Sequence, residues 1–284
     1  MIPASGLALR PCTKTDRTAV LNLINADRMT GQPAATPAML DDALKGCSTT
    51  DAHWWSDLDG LATFVAVGSS DTVLGVISCA ARPKDGHGVI LWLHCHENGT
   101  IARALIDHAV HHLGPRPLDA FDFATALTLG LEALPVRHRP ATHQALTEAG
   151  FRGEALWRYM HRTLPAHDLP RLDRHVTETP TPTGRRLLVT DHGETVADAT
   201  VDSPVQGIGV LRWIGVEPVA RGRGTGRGLL GTALDTLSRM GAAEVILYVD
   251  DDAPPGDERD RTAAHALYES AGFREIDRLY SFAR

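Results

Sequence analysis

The chain has 284 residues, 43% hydrophobic and 22% charged, the balance of a globular protein with length enough for two modest cores. A formal net charge of −7 gives no general attraction for nucleic acid or an anionic membrane. No stretch approaches the ~20 apolar residues that a bilayer requires, and MIPASGLALRPCTKTD lacks the basic start and apolar run of an export signal. A soluble, unexported protein is therefore expected.

Cys12, Cys47, Cys79 and Cys95 all fall in the first third with no CxxC spacing, which fits reduced thiols in a cytoplasm rather than zinc or disulfides. Lysine stands only at Lys14, Lys45 and Lys84 while arginine is plentiful, a bias of GC-rich bacterial genomes.

In chain order, 7–11 reads as a short strand and 13–29 as an amphipathic helix carrying Val20, Leu21, Leu23 and Ile24. Residues 36–45 form a second helix with Pro37 in its first turn. Strand-like runs follow at 61–67, 72–80 and 89–95, divided by glycine-containing turns. Residues 101–113 have helical periodicity, and 118–129 form an apolar run of undecided type with a strand among the alternatives. A short helix ending at glycine (141–151) and a closing strand (156–164) complete this part. Prolines and polar residues predict an extended linker over 165–184, after which strands resume at 185–190 and 195–202.

The most specific stretch comes next. Residues 210–216 are almost all β-branched, aromatic or aliphatic and predict a buried strand, which Pro218 ends. After RGRGTG, the residues Leu229, Leu230, Ala233, Leu234, Leu237 and Met240 recur at helical spacing, so a helix starts near Gly226. A strand, a glycine turn and a helix in this order aim unpaired N–H groups and the positive end of the helix dipole at one spot, which attracts phosphate. Gly222, Gly224 and Gly226 permit close backbone approach on either side of Thr225, while Arg221, Arg223 and Arg227 add charge and forked donors. No lysine follows, which removes the Walker loop. The dinucleotide pattern GxGxxG meets Arg227 or Leu229 where glycine or alanine is required, which removes that fingerprint too.

What remains is R-x-x-G-x-G from Arg221 to Gly226, placed after a buried strand, and it resembles the acetyl-CoA loop of the GNAT acyltransferase superfamily. Downstream, 243–251 reads as a strand and 265–273 as a short helix in which Leu267, Tyr268, Gly272 and Phe273 match the family's L-Y-x-x-x-G-F. The resemblance implies a pantetheine arm along Ile214, Gly215 and Val216, a diphosphate on residues 221–227, and Tyr268 as the proton donor to the leaving thiolate. An amine would attack the thioester of acetyl-CoA directly. The match has gaps. Val210 stands where some relatives carry a glutamate base, Ala253 stands where many carry asparagine, and APPGDERDRT is an insertion before the helix. Glu217 and the run Asp250, Asp251, Asp252 stay outside the implied catalytic set.

The chain also resembles itself. Trp92 lies over Trp213 at an offset of 121, and Ala149, Gly150 and Phe151 lie over Ala271, Gly272 and Phe273 at 122, as in a tandem duplication. The first copy is about three residues shorter before its helix, lacks R-x-x-G-x-G, and has Leu146 in place of Tyr268. The expected fold class is α/β (α+β): two tandem GNAT-like domains, each a mixed, mostly antiparallel twisted sheet flanked by helices. The expected division is 1–164 with a degenerate loop, a linker over 165–184, and a catalytic domain over 185–284. The second copy has no room for the two helices that precede the sheet in the first, so its acceptor wall must come from the first domain or from a second subunit. His94 and His96 share a strand face without further spaced ligands, and no metal site is expected. The expected function is an acetyl-CoA-dependent N-acetyltransferase acting on a small-molecule amine, such as an amino sugar or natural-product intermediate, as a monomer or homodimer. A non-catalytic acyl-CoA-binding regulatory module is the competing reading.

Overall fold

The computed structural model describes residues 6–48, 52–122, 133–172, 176–251, 253, 256 and 261–284. These divide into two compact units, one built from Met1–Met29, Ala34–Leu156 and Asp277–Arg284, the other from Thr30–Pro33 and Trp157–Ile276. Each unit has a mixed, mostly antiparallel sheet with helices, the expected fold class. Among the described residues, no helix is long and apolar enough to cross a membrane.

In the first unit, strands β1 (Ala8–Pro11), β2 (Asp59–Val67), β3 (Val73–Arg82) and β4 (His87–His94) pair antiparallel in sequence order, and β5 (Leu118–Ala120) joins β4 in parallel. Of the undecided run, Leu118–Ala120 is strand, and 123–129 lie outside the described residues. Two helices precede the sheet, α1 (Arg17–Ala26) and α2 (Pro37–Lys45), followed by a short α3 (Ala52–Trp55). The Thr36 hydroxyl caps α2 by accepting from the Met39 N–H, and Gly46 ends it at φ 74°. Val20, Ile24 and Leu40 cover one sheet face, burying Trp92 among Val65, Val76 and Leu91. Helix α4 (Gly99–Leu113) covers the other with Ile101, Leu105, Ile106 and Ala109, joined by Leu146 of α5 (Pro140–Glu148). A two-residue strand, β6 (Leu134–Pro135), lies between α4 and α5 in the chain.

In the second unit, part of β7 (Arg152–Thr163) pairs antiparallel with β12 (Glu244–Asp250). The order continues through β11 (Ile208–Val216), β10 (Glu194–Val205), β9 (Gly184–Asp191) and β8 (Val176–Pro180). Among the described residues of this unit, only β11 and β12 run parallel, joined by helix α6 (Thr225–Arg239). Leu229, Leu230, Ala233, Leu234 and Leu237 of α6 form a core with Leu187, Ala199, Val201, Leu211, Val245 and Leu247. Helix α7 (Thr262–Ser270) follows, and then β13 (Arg274–Ala283).

The duplication extends to backbone irregularities. Between β3 and β4 the register slips at Leu91, since Ser78 faces Trp92 and Cys79 faces Ile90. Between β10 and β11 it slips at Arg212, since Thr200 faces Trp213 and Val201 faces Leu211. Both β-bulges therefore fall just before the repeated tryptophan. The parallel ladders also match: Gly88, Val89 and Ile90 pair with β5, and Ile208, Gly209 and Val210 with β12.

Two elements differ from expectation. The segment 165–184 is not an open connector. Its β8 pairs with β9 from Val176↔Val189 to Pro180↔Arg185, and the Pro170 carbonyl and Leu172 lie against Gly231 and Gly228 of α6. Two helical glycines one turn apart make the groove that this crossing needs. Secondly, residues 157–163 of the expected closing strand pair with β12 in the second unit, while Phe282 and Ala283 of β13 pair with Ala120 and Asp119 in the first. Alternation fixes which way side chains point on such strands but not their partners. The insertion before α7 lies mostly outside the described residues.

Candidate acyl-donor site in the second unit

The site begins where two strands part. The β11–β12 ladder stops after Val210↔Ile246, yet β11 stays paired with β10 as far as Val216 and β12 stays paired with β7 as far as Asp250. The bulge at Arg212 supplies the extra residue that bends β11 away. The Glu217 N–H bonds to the Val196 carbonyl, so alternate residues Gly215 and Trp213 turn their backbone groups to β10. Ile214 and Val216 therefore turn theirs into the opening. The Val216 carbonyl accepts from Arg221 Nε at 2.8 Å, which fixes the first arginine of the loop against the end of the strand.

Beyond Val216, a short 3₁₀ turn (Pro218–Ala220) leads into the glycine loop. Gly222 and Gly224 have φ of 71° and 77°, conformations that L side chains rarely adopt, and an added Cβ on either would meet only open space. Gly224 is the N-cap of α6, so no side chain caps this helix. Among the described residues, the N–H groups of 222–227 have no hydrogen-bond partner. Such a run of free donors at the positive end of a fifteen-residue helix is an anion cradle. Arg221 and Arg223 are exposed beside it, and Arg227 is tethered to Ser270 Oγ at 3.0 Å. Gly226 lies 3.5 Å, measured from an ideal Cβ, from Val216 Cγ2, so loop and strand end are in contact. The geometry fits a ligand with a diphosphate at the loop and an amide-bearing arm along the β11 edge.

Residues 183–275 match the family model described as an acetyltransferase (GNAT) domain. The chain carries a GNAT domain. Curated relatives include mycothiol acetyltransferases of Renibacterium salmoninarum, 37% identical over 79 residues, and Kocuria rhizophila, 37% identical over 91 residues. These matches cover 27% and 31% of this chain but only 21% and 27% of the relatives, so the matched stretch spans about a quarter of their length. Among solved structures, a tandem GNAT protein from the clavulanic acid biosynthesis pathway aligns over 98% of both chains at TM-score 0.67 and 16% identity. A GCN5-related N-acetyltransferase from Sphaerobacter thermophilus aligns over 100% of this chain and 96% of its own at TM-score 0.61 and 16% identity. At such identities the likeness is one of fold, and it extends over both units.

Tyr268, the residue that the resemblance implies as proton donor, lies on α7 and is 7% exposed, its ring edge-on to Phe273 at 5.9 Å. Burial pushes its phenol up to about 12, opposed by Arg261 and assisted by Asp250. Among the described residues nothing bonds its hydroxyl. Asp250 and Asp251 are occupied: Asp250 accepts from Trp157 Nε1 at 2.9 Å and pairs with Arg261 at 3.2 Å, and Asp251 pairs with Arg158 at 3.0 Å. Both carboxylates are thus engaged in ion pairs with arginines.

One feature of this face was not anticipated. Trp213 is 54% exposed, although its counterpart Trp92 is 3% exposed beneath α1 and α2. Its indole N–H is donated to Asp198 at 3.1 Å, and its ring lies against Gly215, where a Cβ would come within 3.1 Å of Nε1. The signal was present in the sequence: a repeated tryptophan in a copy that has lost its covering helices.

Proposed function

We propose that this protein is an acetyl-CoA-dependent N-acetyltransferase that acylates the amine of a small molecule. The observation that carries this reading is the pairing of free N–H groups at 222–227 with a splayed strand edge at Ile214 and Val216. The loop holds the diphosphate through backbone donors and Arg221, Arg223 and Arg227. The edge orients the pantetheine amides, and the Val216 N–H stabilises negative charge developing on the thioester oxygen; losing such a donor costs roughly 3 kcal/mol.

In the reaction, the amine nitrogen forms a bond to the thioester carbonyl carbon as the carbon–sulfur bond breaks. Tyr268, protonated throughout the neutral range, gives its proton to the departing sulfur and recovers one from the acylated nitrogen through solvent. Asp250 and Asp251 are engaged by Arg261 and Arg158, and this reading assigns no side chain as base: the acceptor reacts as the amine that solvent has already deprotonated. The curated relatives direct the acceptor search toward compounds of the mycothiol series, and amino sugars belong in the same panel.

The test is thiol release from acetyl-CoA across a panel of amines, with Tyr268→Phe as comparison. Turnover with at least one amine, falling about 10²-fold in kcat in the variant at unchanged acetyl-CoA affinity, is the expected result. Stoichiometric binding without transfer to any amine would replace this reading with a non-catalytic acyl-CoA-binding module.

A further inference from the structure

We infer that the N-terminal copy is closed to acyl donors by its own side chains, so that the whole chain seats a single acyl-CoA, in the C-terminal copy. The count of one rests on the function proposed above; the closure rests on the first unit alone.

The repeat offset of 121 makes Leu93 and Cys95 the counterparts of Ile214 and Val216. In the second unit the Val216 N–H and the Ile214 carbonyl turn into the opening, and among the described residues nothing there bonds them. In the first unit the same groups are taken. The Cys95 N–H is donated to Asp27 Oδ2 at 3.0 Å, and the Leu93 carbonyl accepts from Arg139 Nη2 at 3.0 Å. Asp27 and Arg139 are both buried, 3.6 Å apart.

The helix terminus is taken as well. Asn98 Oδ1 accepts from the N–H groups of Thr100 and Ile101, occupying the place where the second unit has the uncapped Gly224. Four residues, 95–98, connect β4 to α4, whereas eight, 217–224, connect β11 to α6, so the first connection has no glycine loop to offer. Within it, His96 and Glu97 both take left-handed conformations, φ 50° and 51°. Glu97 is held there by four bonds, from Arg139 Nε, Thr142 Oγ1 and the N–H groups of Ala141 and Thr142. That carboxylate covers the start of α5 while Arg139 reaches across to β4.

Arg139 and Arg261 occupy equivalent places, each the N-cap of the short helix after the split. Arg261 pairs instead with Asp250 and leaves the β11 edge clear. Asp27 follows directly on α1; among the described residues the second unit has no helix in that place, and no carboxylate bonds the Val216 N–H. The Cys95 N–H, the Leu93 carbonyl and two N–H groups at the start of α4 are thus already satisfied by buried, charged or capping side chains.

Native mass spectrometry of the full chain with coenzyme A counts the seats directly, with Arg221→Glu/Arg223→Glu as comparison; both residues are exposed, and circular dichroism checks that the variant is folded. One coenzyme A per unaltered chain and none on the variant are expected. Two per unaltered chain, or one retained by the variant, would overturn the closure while leaving the proposed function standing. None on the unaltered chain would overturn the C-terminal loop as donor seat, and with it the count of one.

Discussion

Asp27 shows how a buried carboxylate can be kept charged. Burial alone would raise its pKa, but His94, Arg139 and the Cys95 N–H act the other way and hold it at about 2. His94 Nδ1 is 3.3 Å away without hydrogen-bond geometry, and its own pKa is lowered by burial, so the guanidinium carries more of this stabilisation than the imidazole. Because the folded state binds this proton less tightly than the unfolded chain, the contribution is complete above about pH 4 and is lost as pH falls toward 2. It amounts to roughly 2 kcal/mol. Denaturant unfolding of the unaltered protein and of Asp27→Asn should therefore converge by that amount over this interval; parallel pH profiles would contradict the assignment. Trp213 is the second informative residue. On the function proposed above, a tryptophan bonded to Asp198, lying against Gly215 and exposed on the strand of the proposed donor edge, would offer a face to the acceptor. Trp213→Ala is expected to raise the acceptor KM about tenfold without altering acetyl-CoA affinity, matching the ~1–1.5 kcal/mol such contacts supply. An unchanged acceptor KM would exclude this role.

At the scale of elements, α6 serves two partners with different glycines. Gly226 has ordinary space for a methyl group, whereas a Cβ at Gly228 would sit 2.7 Å from Leu172 Cδ2 and one at Gly231 only 2.1 Å from the Pro170 carbonyl oxygen. A side-chain tip can move, but a backbone carbonyl cannot. Gly231→Ala should lower the melting temperature, by an amount corresponding to about 1–3 kcal/mol, despite the helix propensity it gains. Gly228→Ala should cost less. Equal melting temperatures for Gly231→Ala and the unaltered chain would show that 169–172 does not press on α6. These elements also show what could be read in advance. The strand, loop and helix from 208 to 239 were legible because β-branched residues, glycines and a helical apolar stripe each point to one local structure. Strand β8 was not, since VTETP between prolines reads as connector until Val189 and α6 are there to receive it. Nor was the bulge at Arg212, which depends on register between strands rather than on residue type. Tyr268 was found from motif spacing, but its burial became visible only with Phe273 beside it.

For the whole molecule, the two units do not follow the order of the chain. Asp277 accepts from the N–H groups of Arg137 and His138, and Leu279 and Phe282 are buried, so the last residues of the chain complete the first unit. Deletion of 277–284 should raise hydrogen exchange in β5 and α5 more than in α6; the reverse order would contradict this division. The same arrangement makes a cut at 164 a poor way to separate the copies, because residues 157–163 would be taken from β12. The proposed function nevertheless rests on one short loop. A crystal structure of the full chain with coenzyme A tests it most directly. The expected result is the diphosphate within hydrogen-bonding distance of the N–H groups of residues 222–227; a diphosphate bound elsewhere, above all in the first unit near Asn98, would contradict it.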